Sequence, residues 1–416
     1  MKPEKFILKN SSTLLIIPFS APSLFVSAWI KSGYRSDPSN KSGLNHFIEH
    51  LSFRGTKKYP SIKSLHEVLE RYGIHSQAFT SQDFIKYWVK SNPKHFKTAT
   101  EILFERLFFS LFREEDIKQE KEIVKEELRI LKSNPSQYIW EIWSENIWQN
   151  TPLGRAYIGN EESIKNFTGD DIKIFIEKKY ASQNITYVIA GDINSSEAFK
   201  LFNSKYGLGK EENIYQNLVF KRKNPIKIIN QNQETVTVAY GFLTCSFLNK
   251  DKFPLEIIAT YFSGGWSSVL RRKLSEMGLT YSIETYSYHI SDTGYLMILF
   301  TALPKNVPKI IEMINKEIEF IKKGKIPNKD FIRAKGYLKG EMVINTETSG
   351  DFADWYGYQV LISSKKPLSL ASYCQLIDKV SNEEVKFVSK KYFNNKNWYL
   401  SAIGKIKKKD IKFSLI

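Results

Sequence analysis

The 416-residue chain has two cysteines, Cys245 and Cys374, and neither belongs to a CxxC pair. This excludes a disulfide framework and a thiolate zinc site; it suits a reducing compartment, so a cytoplasmic location is expected. Histidine is scarce too, with six in the chain, and chemistry that needs imidazoles has few candidates. No stretch is apolar for long enough to cross a bilayer, and no membrane partner is expected. Runs of arginine interleaved with aromatics are absent. The net charge of +17 comes mostly from lysines scattered among glutamates, as in KQEKEIVKEE, and the densest basic patch, GKIKKKDIK, is short. That distribution describes a solvated surface whose field attracts anionic peptides; no nucleic-acid partner is expected.

What is present is ample apolar material, 42% hydrophobic and 14% aromatic residues. The chain is too long for one core, so two domains are expected. The N-terminal segment has positive charge followed by apolar residues, as a signal peptide would. Its apolar stretch is broken by Pro18, Ser20, Pro22 and Ser23, and it reads as two strands, Thr13–Pro18 and Ser23–Lys31, around a turn. From there the chain is written twice. Strand, loop, helix (Leu44–Phe53), two further helices (Ser61–Tyr72 and Glu114–Lys132) and the strand VIAGDI make the first half. Strand TVTVAYGFL, helices over 255–263 and 267–276, two strands, two helices and SAIGKI make the second. The expected fold is α+β: two similar duplicated domains, each an antiparallel-rich sheet with helices packed on it. The first runs 1–210 and the second 227–416, joined by a polar linker at 211–226. The Trp-rich YIWEIWSENIW (138–148) reads as a packed helix rather than a ligand site.

The stretch HFIEH places His46 and His50 at i and i+4, on one helical face, with Glu49 immediately before the second. Two imidazoles can grip one zinc ion, and a carboxylate beside them can take a proton from its water. Alone, the pattern equally fits a surface helix with a histidine pair, because one more protein ligand is needed. The other histidines are scattered: His66 and His95 read as exposed, His75 as part of a turn, and His289 as part of a strand. A carboxylate is the natural alternative, and helical geometry narrows the choice in EEDIKQEKEIVKEELRILK. Ile117, Val124, Leu128 and Leu131 form an apolar stripe. Glu120 and Glu127 are seven apart, within roughly 20° of each other on the stripe's shoulder, whereas Glu122 and Glu126 point away. Glu127 is therefore the best candidate ligand, and Glu120 a supporting base or orienter.

With these residues in view, the sequence resembles the pitrilysin family of HxxEH metallopeptidases. It is most similar to the half-length members, such as the mitochondrial processing peptidase subunits and their bacterial relatives. The resemblance rests on SGLNHFIEHLSFRGTKKYPS, on GIHSQAFTSQDFIKYW (with Gln77 where asparagine is usual), on PLGRAYIGNEESIKNFTGDDIKIFIEKKYASQNITYVIAGDI and on GGWSSVLRRKLSEMGLTYSI. It also rests on the position of Glu127, 77 residues after His50. The resemblance implies a zinc endopeptidase in which His46, His50 and Glu127 hold Zn2+ and Glu49 is the base, with Glu120 and Tyr281 as further catalytic residues. It also implies that the backbone of Ala78, Phe79 and Thr80 binds an extended peptide by strand addition. Half-length chains of this family pair around a chamber that admits unfolded peptides, so a second family subunit is an expected partner. One departure bears on that pairing: family members usually carry an arginine seven residues before the tyrosine, and here that position is Leu274, with Arg271, Arg272 and Lys273 just before it. The departure favours a heterodimer over a homodimer, unless a neighbouring base substitutes. The alternative is a non-catalytic scaffold subunit of the same fold.

Overall fold

The computed structural model of the chain describes residues 2–203, 220 and 223–411. Most of the expected linker at 211–226 lies outside the described residues. The chain forms two compact units, residues 1–129, 155–218 and 345–368 in one, and residues 130–154, 219–344 and 369–416 in the other.

The first unit contains β1 (Glu4–Ile7), β2 (Thr13–Pro18), β3 (Leu24–Ile30), β4 (His75–Thr80), β5 (Ile85–Ser91) and β6 (Ile185–Gly191), ordered β1-β2-β6-β3-β5-β4. The second contains β7 (Ile226–Ile229), β8 (Val236–Thr244), β9 (Ser282–His289), β10 (Gly294–Ala302) and β11 (Trp398–Ile403), ordered β7-β11-β8-β10-β9. Leaving β1 aside, the two orders are the same. In each sheet the first strand lies parallel to the last, β2 to β6 and β7 to β11, and the remaining pairs are antiparallel. The duplication legible in the sequence is thus realised strand by strand, and the fold is α+β.

Burial explains the composition of the central strands. Every residue of β3 (LFVSAWI) and of β6 (ITYVIAG) is buried, because helices cover both faces. On one face Leu15, Ile17, Phe25, Trp29, Val188 and Ala190 pack with Ala353, Tyr356 and Val360 of helix Ser349–Ile362. On the other, Phe104 of helix Phe96–Phe108 meets the ring of Tyr187 at 5.6 Å. The Trp-rich segment is a helix, Pro135–Ile147, and it packs in the second unit. Its Asn146 amide donates to the Leu400 carbonyl at 2.9 Å, and Trp143 meets Tyr295 at 5.7 Å. Each sheet is therefore covered in part by a helix from the opposite half of the sequence.

Two histidines differ from expectation. His75 is not in a turn: the chain reverses at Gly73–Ile74, and His75 already pairs with Lys90 as the first residue of β4. His95 is half-buried, its ring 4.8 Å from that of Tyr72. His66 is exposed, and His289 ends β9.

Candidate metal centre

The motif helix, Leu44–Leu51, is short, and tertiary contacts hold it at both ends. At its start Asp37 is a buried anchor. Its carboxylate accepts from the backbone N–H of Gly43 (2.8 Å) and of Asn45 (3.0 Å) and from the Asn45 side-chain amide (2.8 Å). Gly43 has φ +89°, and a Cβ there would sit 2.1 Å from the Ile158 carbonyl oxygen, so only glycine lets the 155–159 segment lie against the helix start. At the other end the Ser52 hydroxyl donates to the Glu49 carbonyl at 2.7 Å and accepts from Arg106 at 3.1 Å.

The acidic helix, Glu114–Ser133, is oriented by its stripe: Ile117, Val124 and Leu128 are buried. Glu122 and Glu126 face solvent and pair with Lys125 (2.7 Å) and Arg129 (2.8 Å). Glu120 is buried and Glu127 half-buried. The two helices meet at this shoulder. One ligand-type atom each from His46, His50 and Glu127 lies within 4.8 Å of the others. His46 Nε2 is 3.6 Å from one Glu127 oxygen, and His50 Nε2 is 3.4 Å from the other.

The surroundings assign distinct states to these groups. Burial, and then the charge of His50, holds His46 well below the ordinary imidazole range, so it is neutral as a ligand must be. Burial pulls His50 the same way. The hydrogen bond to Glu120 and the charges of Glu127, Glu120 and Glu49 outweigh it and leave His50 raised. Glu120 lies 2.9 Å from His50 Nδ1 and also bonds Arg54 Nε. These contacts outweigh burial and keep its carboxyl low. The bond to Nδ1 turns His50 Nε2 toward Glu127. Burial raises Glu49; Thr80, whose hydroxyl donates to it at 2.5 Å, and the charges of His50 and Arg106 oppose this. Burial raises Glu127; the charge of His50 opposes this, and the weaker effect of the Glu120 charge adds to it.

These residues fit a divalent ion. Tetrahedral zinc with bonds near 2.0–2.2 Å sets its ligand atoms about 3.3–3.6 Å apart, and each imidazole Nε2 stands at about that distance from one Glu127 oxygen, His46 from Oε1 and His50 from Oε2. Among the described residues no lysine or arginine pairs with Glu127, and its Oε2 is buried without a hydrogen-bond partner. A carboxylate oxygen buried without a hydrogen bond is costly unless a cation meets it. His46 Nδ1 is likewise buried and unpaired.

Of the other expected site residues, Ala78, Phe79 and Thr80 lie on β4, at the sheet edge, with Phe79 exposed. Tyr281 belongs to the second unit and is 100% exposed. Leu274 is fully buried in helix Val269–Glu276, so its position presents nothing to a peptide. Of its basic neighbours, Arg271 donates to the Ile283 carbonyl at 3.1 Å and Lys273 pairs with Glu317 at 3.0 Å. Asp37, Arg54, Arg106 and Tyr157 escaped the sequence reading. Arg54 alone had a local signal, falling four residues after His50 on the same face.

A two-unit α+β chain with paired imidazoles and carboxylates on two crossing helices has the makings of a metallohydrolase. Comparison with known proteins agrees. Residues 19–161 match the family model described as Insulinase (Peptidase family M16), and residues 166–338 match the Peptidase M16 inactive domain. The chain belongs to peptidase family M16. It is 26% identical over 395 residues to the uncharacterized zinc protease YmxG of Bacillus subtilis, covering 94% of this chain and 93% of that protein. It is 24% identical to the mitochondrial-processing peptidase subunit beta of Bos taurus, covering 92% of this chain and 80% of that one. The crystal structure of a protease from Helicobacter pylori has the same fold, with a TM-score of 0.88 at 23% identity over 97% of this chain and 99% of that one. Among the described residues no helix is long and apolar enough to cross a membrane.

Proposed function

We propose that the chain is a zinc metalloendopeptidase acting on unfolded peptides as one member of a two-chain assembly. The observation that carries this is the convergence of His46, His50 and Glu127, with one Glu127 oxygen buried and without a hydrogen bond, beside the carboxyl of Glu49. When bound, zinc supplies Lewis-acid polarisation of the scissile carbonyl and acidifies water. His46, His50 and Glu127 hold it. Glu49 takes a proton from the attacking water and delivers it to the leaving amine. The peptide adds to β4 as a further strand along Ala78, Phe79 and Thr80, and the Thr80 hydroxyl ties that strand to Glu49 at 2.5 Å.

Tyr281, wholly exposed in the second unit, serves the site of a paired chain in this reading. The burial of Leu274 supports a family partner that brings its own complete set of donors, hence a heterodimer. The relatives' printed names, zinc protease and processing peptidase subunit, support zinc, peptide and partner alike. Two unpaired cysteines suit a cytoplasmic setting. A scaffold role is disfavoured because every motif residue is retained.

The deciding experiment is zinc analysis of the purified chain, alone and with any co-purifying subunit, alongside cleavage of an unfolded peptide. Stoichiometric zinc is expected, with cleavage lost on chelation and restored by zinc. A zinc-free chain without peptidase activity would establish the scaffold reading. Glu120→Gln is expected to weaken zinc binding by ~10–100-fold, since it loosens His50 without removing a ligand. A chelator-competition titration reads this directly, and unchanged affinity would remove Glu120 from its supporting place.

A further inference from the structure

Tyr157 lies against the centre from a direction that the motifs do not announce. Its ring centroid is 4.5 Å from that of His46, whose other neighbour is His50, also at 4.5 Å. Tyr157 is held there by a segment locked onto the motif helix's own anchor. The Arg155 guanidinium donates to the Asp37 and Arg35 carbonyls, and the Ser42 hydroxyl donates to the Ala156 carbonyl at 2.8 Å. Gly159 has φ +91°, and a Cβ there would sit 2.3 Å from the Ser42 carbonyl oxygen.

The hydroxyl of this half-buried tyrosine bonds to no described residue. Other buried tyrosines of the same unit are bonded: Tyr87 and Tyr180 bond each other at 2.9 Å, and Tyr59 bonds Glu101 at 2.6 Å. A phenol at a partly buried site ordinarily finds a partner. The group is a donor with no hydrogen-bond partner among the described residues, carried on a ring that packs against His46 of the centre. It stands in the same unit as the centre, whereas Leu274, where a donor is expected from the second unit, is buried and apolar.

We propose that Tyr157 is a catalytic residue of this chain, its hydroxyl donating a hydrogen bond to the scissile carbonyl oxygen as negative charge gathers there. This rests on the peptidase reading above. A donor aimed at developing charge acts on turnover more than on substrate binding.

The test is Tyr157→Phe, which keeps the ring on His46 and removes only the hydroxyl. Zinc content is expected to match the wild type. kcat should fall by about 10²-fold with little change in KM. The affinity for a phosphinic peptide, which mimics the tetrahedral transition state, should weaken by a comparable factor, measured by calorimetry on the zinc-loaded assembly. Wild-type kcat together with unchanged phosphinate affinity would overturn the proposal. So would a loss confined to Tyr157→Leu and accompanied by zinc loss, which would assign the role to the ring alone. A wild-type assembly that binds zinc but cleaves no peptide would overturn the underlying reading, and this proposal with it.

Discussion

Glu49→Gln is expected to bind zinc as the wild type does and to lower kcat by about 10²–10⁴-fold, the range for loss of a positioned general base. The substitution is nearly isosteric. The Gln carbonyl oxygen still accepts from Thr80, which lies 2.5 Å from the present carboxylate. Helix Leu44–Leu51 stays anchored, because its end contacts use the backbone of Glu49 and the hydroxyl of Ser52. The amide cannot take a proton from water, and that is the whole of the expected defect. Elemental analysis and single-turnover peptide cleavage measure the two halves of the statement separately. Cleavage at near the wild-type rate would reject Glu49 as the base.

Glu127→Ala is expected to weaken zinc binding by more than Glu120→Gln does, hence by more than ~100-fold. It should also remove the stabilisation that zinc gives. In the metal-free chain Glu127 is a carboxylate with one oxygen buried and without a hydrogen bond, 3.4 Å from His50 Nε2, and burial raises it. Removing it relieves a desolvation cost and loses the contacts with His46 and His50, two opposing effects, so metal-free Glu127→Ala should melt close to the metal-free wild type. Zinc binds the folded state and stabilises it in proportion to the logarithm of its concentration over Kd. The wild type should therefore gain Tm steeply on zinc addition, and the variant should not. Equal gains in both proteins would show that Glu127 does not hold the ion.

Much of this geometry could be read in advance because helical spacing is local. A separation of four places His46 and His50 on one face, and the structure has their rings 4.5 Å apart. A separation of seven, set against the stripe of Ile117, Val124 and Leu128, distinguishes Glu120 and Glu127 from Glu122 and Glu126, which pair with lysine and arginine in solvent. The duplication was legible for a similar reason: alternating apolar runs at matching places in each half encode matching strands. What escaped were groups brought together across long separations. The helix SGDFADWYGYQVLI carries apolar residues on most sides, so its pattern names no sheet, and it covers the sheet of the other half.

The sequence by itself determined which functional groups exist and which of them share a helix face, because a turn of helix is set by its own residues. Only the tertiary structure decided that the faces of two helices, 70 residues apart between His50 and Glu120, would meet. It alone brought Thr80 to Glu49, Arg54 to Glu120 and the Tyr157 ring to His46. Those meetings follow from how helices pack on the sheet and from backbone approaches at Gly43 and Gly159, and no local pattern encodes them.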